Sequence, residues 1–311
     1  MGIHHVTAIA GDPVKNLGFY TRDLGLRFVK KTVNFDEPST YHFYYGDETG
    51  SSGTILTFFP WTNAPVGRRG VGETRQTAFR VPLRSLGYWT QRFIEKGILH
   101  QKLEKRFGQS VLPFADQDGM ALALVGIADA ENESGWSNED IPSEHAIRGL
   151  QSVTLLLDSA QKTAAILTDV FGFREVGREG PLIRFAAAGD AKGSAVDVYE
   201  AAGVPRGHQG RGSVHHIAFR AADDAQQAQM TEKLIRTHGR HPTEQKDRKY
   251  FRSIYFREPS GILFEIATDI PGFAVDEPVE ALGQHLKLPE FLEPRRKEIE
   301  GVLPALEKAA S

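Results

Sequence analysis

Asp12-Pro-Val-Lys-Asn-Leu-Gly-Phe-Tyr-Thr-Arg-Asp-Leu-Gly25-Leu-Arg27 is echoed later in the chain by Asp158-Ser-Ala-Gln-Lys-Thr-Ala-Ala-Ile-Leu-Thr-Asp-Val-Phe-Gly172-Phe-Arg174. Each stretch opens with an acidic residue able to cap a helix and ends with a glycine where a left-handed C-terminal residue is needed. In the first stretch Pro13 suits the first helical position. The two glycines, Gly25 and Gly172, stand 147 residues apart. A second pair repeats at nearly the same distance. Phe93-Ile-Glu-Lys-Gly97 is followed by Gly119, Leu234-Ile-Arg-Thr-His-Gly239 is followed by Gly261, and Gly119 and Gly261 are 142 residues apart. The chain is written twice, and internal repeats settle the architecture before any single residue does.

Outward from each helix, the pattern reads as strands. Ile3, His5, Thr7 and Ile9 alternate with His4, Val6, Ala8 and Ala10, a two-residue period that suits a strand with two distinct faces. After the helix, Thr40-Tyr-His-Phe-Tyr-Tyr45 and Thr54-Ile-Leu-Thr-Phe-Phe59 continue as strands separated by glycine-rich turns. The unit is βαβββ, and four such units occupy about residues 1–65, 72–128, 148–205 and 212–270. The expected fold class is α+β, with units one and two forming an N-terminal domain (1–128) and units three and four a C-terminal domain (148–270). The acidic stretch Asp129-Ala-Glu-Asn-Glu-Ser-Gly-Trp-Ser-Asn-Glu-Asp-Ile-Pro142 reads as a linker spanning 129–147. Residues 271–311, with five prolines and a charged run from Glu293 to Glu300, read as a helical tail packed on the body.

Composition narrows the functional classes. Hydrophobic residues make up 40% and charged residues 25%, an ordinary globular balance. A formal net charge of −3 gives no electrostatic reason to expect nucleic acid or an anionic membrane as partner. A small neutral or weakly ionised ligand fits better, and a homo-oligomer is compatible with the sequence. There is no cysteine, so disulfides, thiolate catalysis and Cys-based zinc or iron–sulfur sites are excluded and His, Asp and Glu remain as the strong metal ligands. The opening residues carry no basic segment followed by a long apolar run, so a cytoplasmic protein is expected.

The repeat frame locates a candidate metal site. Seven residues before the capping acid lies His5 in unit one (from Asp12), His216 in unit four (from Asp223) and Gln151 in unit three (from Asp158); the unit-two equivalent is Thr77 or Ala78. Four residues after the turn glycine of the last strand lies Glu265 in unit four, against Thr57, Ala123 and Asp197 in units one, two and three. Two imidazoles and one carboxylate held on strands make the facial triad that leaves open positions on Fe(II). Taken singly, each is an ordinary strand residue; the matching positions carry the assignment. Gln151 and Asp197 offer a second, weaker pair. The hairpin Pro259-Ser-Gly261 places Tyr255 opposite Glu265, where a phenol can donate a hydrogen bond or carry a proton. Phe43, Tyr45, Phe58 and Phe219 are candidates to line an apolar pocket.

At these residues the chain resembles the vicinal oxygen chelate superfamily, through Ile3-His-His-Val-Thr-Ala-Ile-Ala-Gly-Asp-Pro13, Val214-His-His-Ile-Ala-Phe219 and Glu258-Pro-Ser-Gly-Ile-Leu-Phe-Glu-Ile266. The resemblance implies two domains with cupped mixed sheets. Splitting the histidines between units one and four is similar to the (chloro)hydroquinone 1,2-dioxygenase group, including bacterial enzymes for methylhydroquinone. That resemblance implies Fe(II), with Mn(II) compatible with the same ligands, on His5, His216 and Glu265, and an aromatic substrate and O2 as reactants. It also implies hydrogen-bonding or proton-transfer roles for His4, Thr7, His215, Arg248 and Tyr255. Strict alternation points His4 and His215 away from the metal face, so their part requires a bulge or contact from behind the ligands. A glyoxalase-like isomerase would need a further ligand where Thr57 stands, and a metal-free aromatic-binding protein would not need the triad.

Overall fold

The computed structural model describes residues 1–189 and 191–306. The first module comprises β1 (Ile3–Ala10), α1 (Pro13–Gly18), β2 (Arg27–Val33), β3 (Tyr41–Gly46) and β4 (Ile55–Pro60). The second has β5 (Glu73–Pro82), α2 (Leu86–Glu95), β6 (Glu104–Arg106), β7 (Gln109–Ala115) and β8 (Ala121–Ile127). The third has β9 (Gly149–Leu157), α3 (Gln161–Asp169), β10 (Arg174–Glu179), β11 (Leu182–Ala186) and β12 (Ala195–Glu200). The fourth has β13 (Ser213–Ala221), α4 (Asp224–His238), β14 (Lys246–Asp247), β15 (Phe251–Arg257) and β16 (Leu263–Pro271). All four modules are βαβββ, and the fold is α+β.

Local chemistry sets the helix ends. Asp12 caps α1 by accepting from Val14 and Lys15 N–H, with Pro13 in the first turn. The helix runs on as a π-helical turn, Phe19–Asp23, and the chain reverses at Gly25, whose φ is +70°. A side chain at Gly25 would put its Cβ 2.5 Å from Ile141 Cδ1 of the linker, so glycine is required there for space as well as for conformation. Asp223 and Gly239 bracket α4 in the same way.

The sheets depart from chain order. One eight-stranded sheet runs β14-β15-β16-β13-β1-β4-β3-β2 and the other β10-β11-β12-β9-β5-β8-β7-β6. Module one therefore shares its sheet with module four, and module two with module three; each half of the chain gives one module to each sheet. The first strand of every module is the free edge of its own four strands, so periodicity within a module does not say which other first strand it will meet. The connecting segments decide it. Residues 61–72 and 201–212 run past one another, with bridges Val66 to Arg211, Arg68 to His208 and Val71 to Arg206, and each carries the chain from one sheet to the other.

Alternate residues of the sheets build the core. Val6, Ala8, Leu56, Phe58, Ile217 and Phe219 of the first sheet join Phe79, Leu122, Leu124, Val153 and Leu155 of the second in one buried cluster with residues of the helices. Each large side chain there contributes about 1.5–3 kcal/mol of burial. Residues of the opposite parity line the inner face of each curled sheet. After β16 the tail covers the β2 edge: Lys287 N–H donates to Lys31 C=O, and Thr32 Oγ1 donates to Lys287 C=O. Its short helix α5 (Arg296–Val302) buries Ile299 in the main core; residues 307–311 lie outside the described residues. Among the described residues no helix is long and apolar enough to cross a membrane.

Candidate active site

Three adjacent strands of the first sheet bring the triad together. In the antiparallel β1–β13 pair, His5 pairs with Ala218 and Thr7 with His216; in the parallel β13–β16 pair, Ala218 also meets Glu265. Glu265 Oε2 lies 3.4 Å from His5 Nε2 and 2.9 Å from His216 Nε2, all three side chains being buried. One donor atom from each lies within 4.8 Å of the others, and this is the one such His/Asp/Glu group among the described residues. Ser253 Oγ donates to Glu265 Oε1, but Oε2 is buried without a hydrogen-bond partner. A buried carboxylate oxygen facing two imidazole nitrogens is costly alone and is satisfied by a cation. Burial pushes the Glu265 carboxyl up, yet the neighbouring imidazoles outweigh it and hold the group well below the usual carboxylate range. The residues fit a single divalent ion.

The histidine before each of these two sits behind it. His4 Nδ1 is 2.9 Å from His5 Nδ1, and His215 Nδ1 is 2.8 Å from His216 Nδ1. Burial lowers both His4 and His215 to a pKa of about 3, so each is a neutral ring able to accept an Nδ1–H and leave the neighbour's Nε2 free. Contact from behind reconciles these residues with strand alternation.

Tyr255 pairs with Glu265 across the β15–β16 hairpin, in the register read from its turn, where Gly261 has φ +102°. Arg248 Nε donates to Tyr255 Oη at 3.3 Å, and its Nη2 donates to Asp36 at 2.8 Å. Burial, reinforced by Glu265, raises the Tyr255 phenol well above its ordinary value, so it stays protonated. Thr7 is buried and accepts from Thr57 Oγ1.

A cavity of about 340 Å³ opens on the triad, lined among others by His42, Tyr44, Phe59, Trp61, Phe251 and Tyr255. The aromatics named from sequence are not there. Phe43, Tyr45, Phe58 and Phe219 are buried in the main core, and Tyr45 Oη donates to Asn16 of α1. Their strand neighbours Tyr44 and Phe59 take the cavity. The sequence reading does not single out His42 and Tyr44; the sheet register places them on the ligand face, Tyr44 pairing with Thr57 and Thr57 with Thr7.

The second sheet answers the remaining positions. Its register aligns Ala78 with Ala123 and Thr154 with Asp197, as Thr7 aligns with Thr57 and Ala218 with Glu265, so the counterparts of His5 and His216 are Gln76 and Ser152. Thr77, Ala78 and Gln151 are displaced from that position. The count from Asp158 fails because Asp158 does not cap α3, whose N-cap is Ala160. Gln151 and Asp197 form no second site: Arg184 grips Asp197 through Nε and Nη2 at 2.7 and 2.8 Å, a guanidinium in place of a metal.

The curled sheets are built from paired βαβββ modules and carry an inward His/His/Glu group able to hold a metal ion. The profile of the glyoxalase/bleomycin resistance protein/dioxygenase superfamily matches residues 2–124 and 149–266, and the chain belongs to that superfamily. It is 45% identical over 305 residues, covering 98% of this chain and 96% of the other, to "Putative ring-cleaving dioxygenase MhqO" of Bacillus subtilis. It is 31% identical over 303 residues, covering 96% of this chain and 94% of the other, to the chlorohydroquinone/hydroquinone 1,2-dioxygenase of Sphingobium indicum. A crystal structure titled as a putative dioxygenase from Bacillus subtilis superposes with a TM-score of 0.93 at 43% identity, covering 99% of this chain and 97% of the other. Glyoxalase I from Zea mays, with a TM-score of 0.67, 13% identity and coverage of 91% and 97%, shares the fold.

Proposed function

We propose that this protein is a non-haem Fe(II) dioxygenase that opens the ring of hydroquinone-type substrates, with His5, His216 and Glu265 as the iron ligands. The observation that carries the reading is the convergence of His5 and His216, from the first and last modules, on the buried Glu265 Oε2 inside an aromatic-lined cavity. The similarity to a hydroquinone 1,2-dioxygenase supports the substrate class. His5, His216 and Glu265 would hold Fe(II), or Mn(II) with the same hard ligands, which would supply Lewis acidity toward a substrate hydroxyl and chemistry with O2.

The protein's own groups do the remaining work. Tyr44, Phe59, Trp61 and Phe251 offer aromatic surface to a flat ring and exclude water. Arg248 donates to the Tyr255 oxygen, so the Tyr255 proton stays available to an ionised substrate oxygen, and the guanidinium offsets negative charge in the cavity. His4 and His215 fix the ring orientation of His5 and His216. A cytoplasmic setting suits such a reaction. Oxygen consumption by anaerobically Fe(II)-loaded protein, given hydroquinone, methylhydroquinone and catechol in turn, tests the reading. Uptake with the quinols and little with catechol is expected; preference for catechol would move the protein to the catechol extradiol class, and no uptake despite bound iron would overturn ring cleavage.

A further inference from the structure

A file of four hydrogen-bonding side chains runs beside the candidate centre. Thr57 Oγ1 donates to Thr7 Oγ1 at 2.8 Å, His42 Nε2 lies 2.8 Å from Thr57 Oγ1, and Tyr44 Oη lies 2.8 Å from His42 Nδ1. Their donor directions follow from one another. A threonine hydroxyl has a single proton, and Thr57 gives its proton to Thr7. The proton between His42 and Thr57 therefore belongs to Nε2. A neutral imidazole has one N–H, so Nδ1 accepts and Tyr44 is its donor. Burial, with the fields of His216 and His5 added, holds His42 well below its ordinary value and therefore neutral.

The file thus points one way, from Tyr44 through His42 and Thr57 to Thr7. Among the described residues Thr7 Oγ1 makes no other hydrogen bond, so its own proton is the one left to give. Thr7 follows His5 by two residues on the same strand and pairs with His216 across the sheet. His42 and Tyr44 line the cavity, whereas Thr57 and Thr7 are fully buried. A donor at the end of a same-sense chain is strengthened by the donors behind it.

We propose that His42 is a positioning residue which, locked as the Nε2–H tautomer, acts through Thr57 to make Thr7 a hydrogen-bond donor to the oxygen of a ligand held at His5 and His216. Such a donor selects an ionised hydroxyl oxygen over a protonated one. The role in turnover rests on the ring-cleavage reading; the tautomer does not.

Two measurements test it. In metal-free protein labelled with ¹⁵N-histidine, with His42 assigned by its loss in His42→Gln, Nε2 is expected to carry the proton and Nδ1 to be bare; the reverse tautomer overturns the proposal without any substrate. In iron-loaded protein, His42→Phe and Thr57→Val are expected to lower kcat for the quinol about 10- to 100-fold while KM moves less than about 3-fold. Thr57→Ser and His42→Gln, which keep a donor at each step, are expected to stay within about 3-fold of wild type. Wild-type kcat in Thr57→Val, or equal losses in Thr57→Ser and Thr57→Val at full iron content, would contradict the role. Absence of turnover in the wild-type protein would remove ring cleavage and the catalytic role together, while the NMR result still judges the tautomer.

Discussion

His5 and Glu265 flank Ala218 from opposite sides in the same sheet, and their side chains meet at 3.4 Å. A slip of one residue on either strand would turn one of them to the core face. The site therefore exists because module four docks on module one in this register, and the two ends of the chain depend on each other for it. His5→Ala, His216→Ala and Glu265→Ala are each expected to weaken Fe(II) binding by about two orders of magnitude or more, read by metal content after dialysis. Full retention of iron by any of the three would show that the ion sits elsewhere.

The histidines behind the triad should show a graded effect. His4→Ala and His215→Ala leave all three donors in place but remove the acceptors on His5 and His216 Nδ1. Metal affinity is expected to fall about 10- to 100-fold, less than for the triad substitutions. Isothermal titration with Mn(II) under reducing conditions would read it; unchanged affinity would make both residues packing alone.

Much of this was legible in the sequence because it is local. Asp12, Gly25, Asp223 and Gly239 bracket helices by capping and left-handed geometry, and the turn at Gly261 sets Tyr255 opposite Glu265. What escaped is non-local or depends on a single residue of phase. The joining of module one to module four lies in the crossing of residues 61–72 and 201–212, which have no periodic pattern. The cavity aromatics were sought at Phe43 and Phe58 when Tyr44 and Phe59, one residue on, face the ligand side. Asp158 looks like a helix cap but hydrogen-bonds the N–H of Ser159 instead, which moved the unit-three position to Gln151 in place of Ser152.

The tail is tied to the first sheet by a buried charge. Lys30 is fully buried between Asp276 at 2.7 Å and Glu277 at 2.5 Å. Lys30→Ala leaves the buried Glu277 without its cation, Asp276 keeping Lys249 at 3.6 Å, and is expected to cost about 3–5 kcal/mol in urea unfolding. Adding Glu277→Gln should recover part of the loss, whereas a loss under about 1 kcal/mol for Lys30→Ala would mean that solvent already reaches the cluster.

Stability should also carry a pH signature away from the metal site. Burial raises Asp116 to about 6, against the hydrogen bonds it accepts from Met120 N–H, Tyr20 Oη and Asp118 N–H. Its folded pKa lies above the unfolded value of about 3.9, so the folded state holds the proton more tightly. The contribution is fully present below about pH 4 and is lost as pH rises through about 6, a change of about 3 kcal/mol at most. Asp116→Asn does not ionise, so unfolding of metal-free protein from pH 4 to 7 should show wild-type stability falling relative to the variant. A difference that is flat or rises with pH would contradict this.

The most direct test of ring cleavage at the split triad is the isotopic composition of the product formed from hydroquinone under ¹⁸O₂ by Fe(II)-loaded protein. The expected result is a ring-opened acid carrying label from both oxygen atoms, and none from Glu265→Ala. An unopened quinone with no label, or the same product from Glu265→Ala, would contradict it.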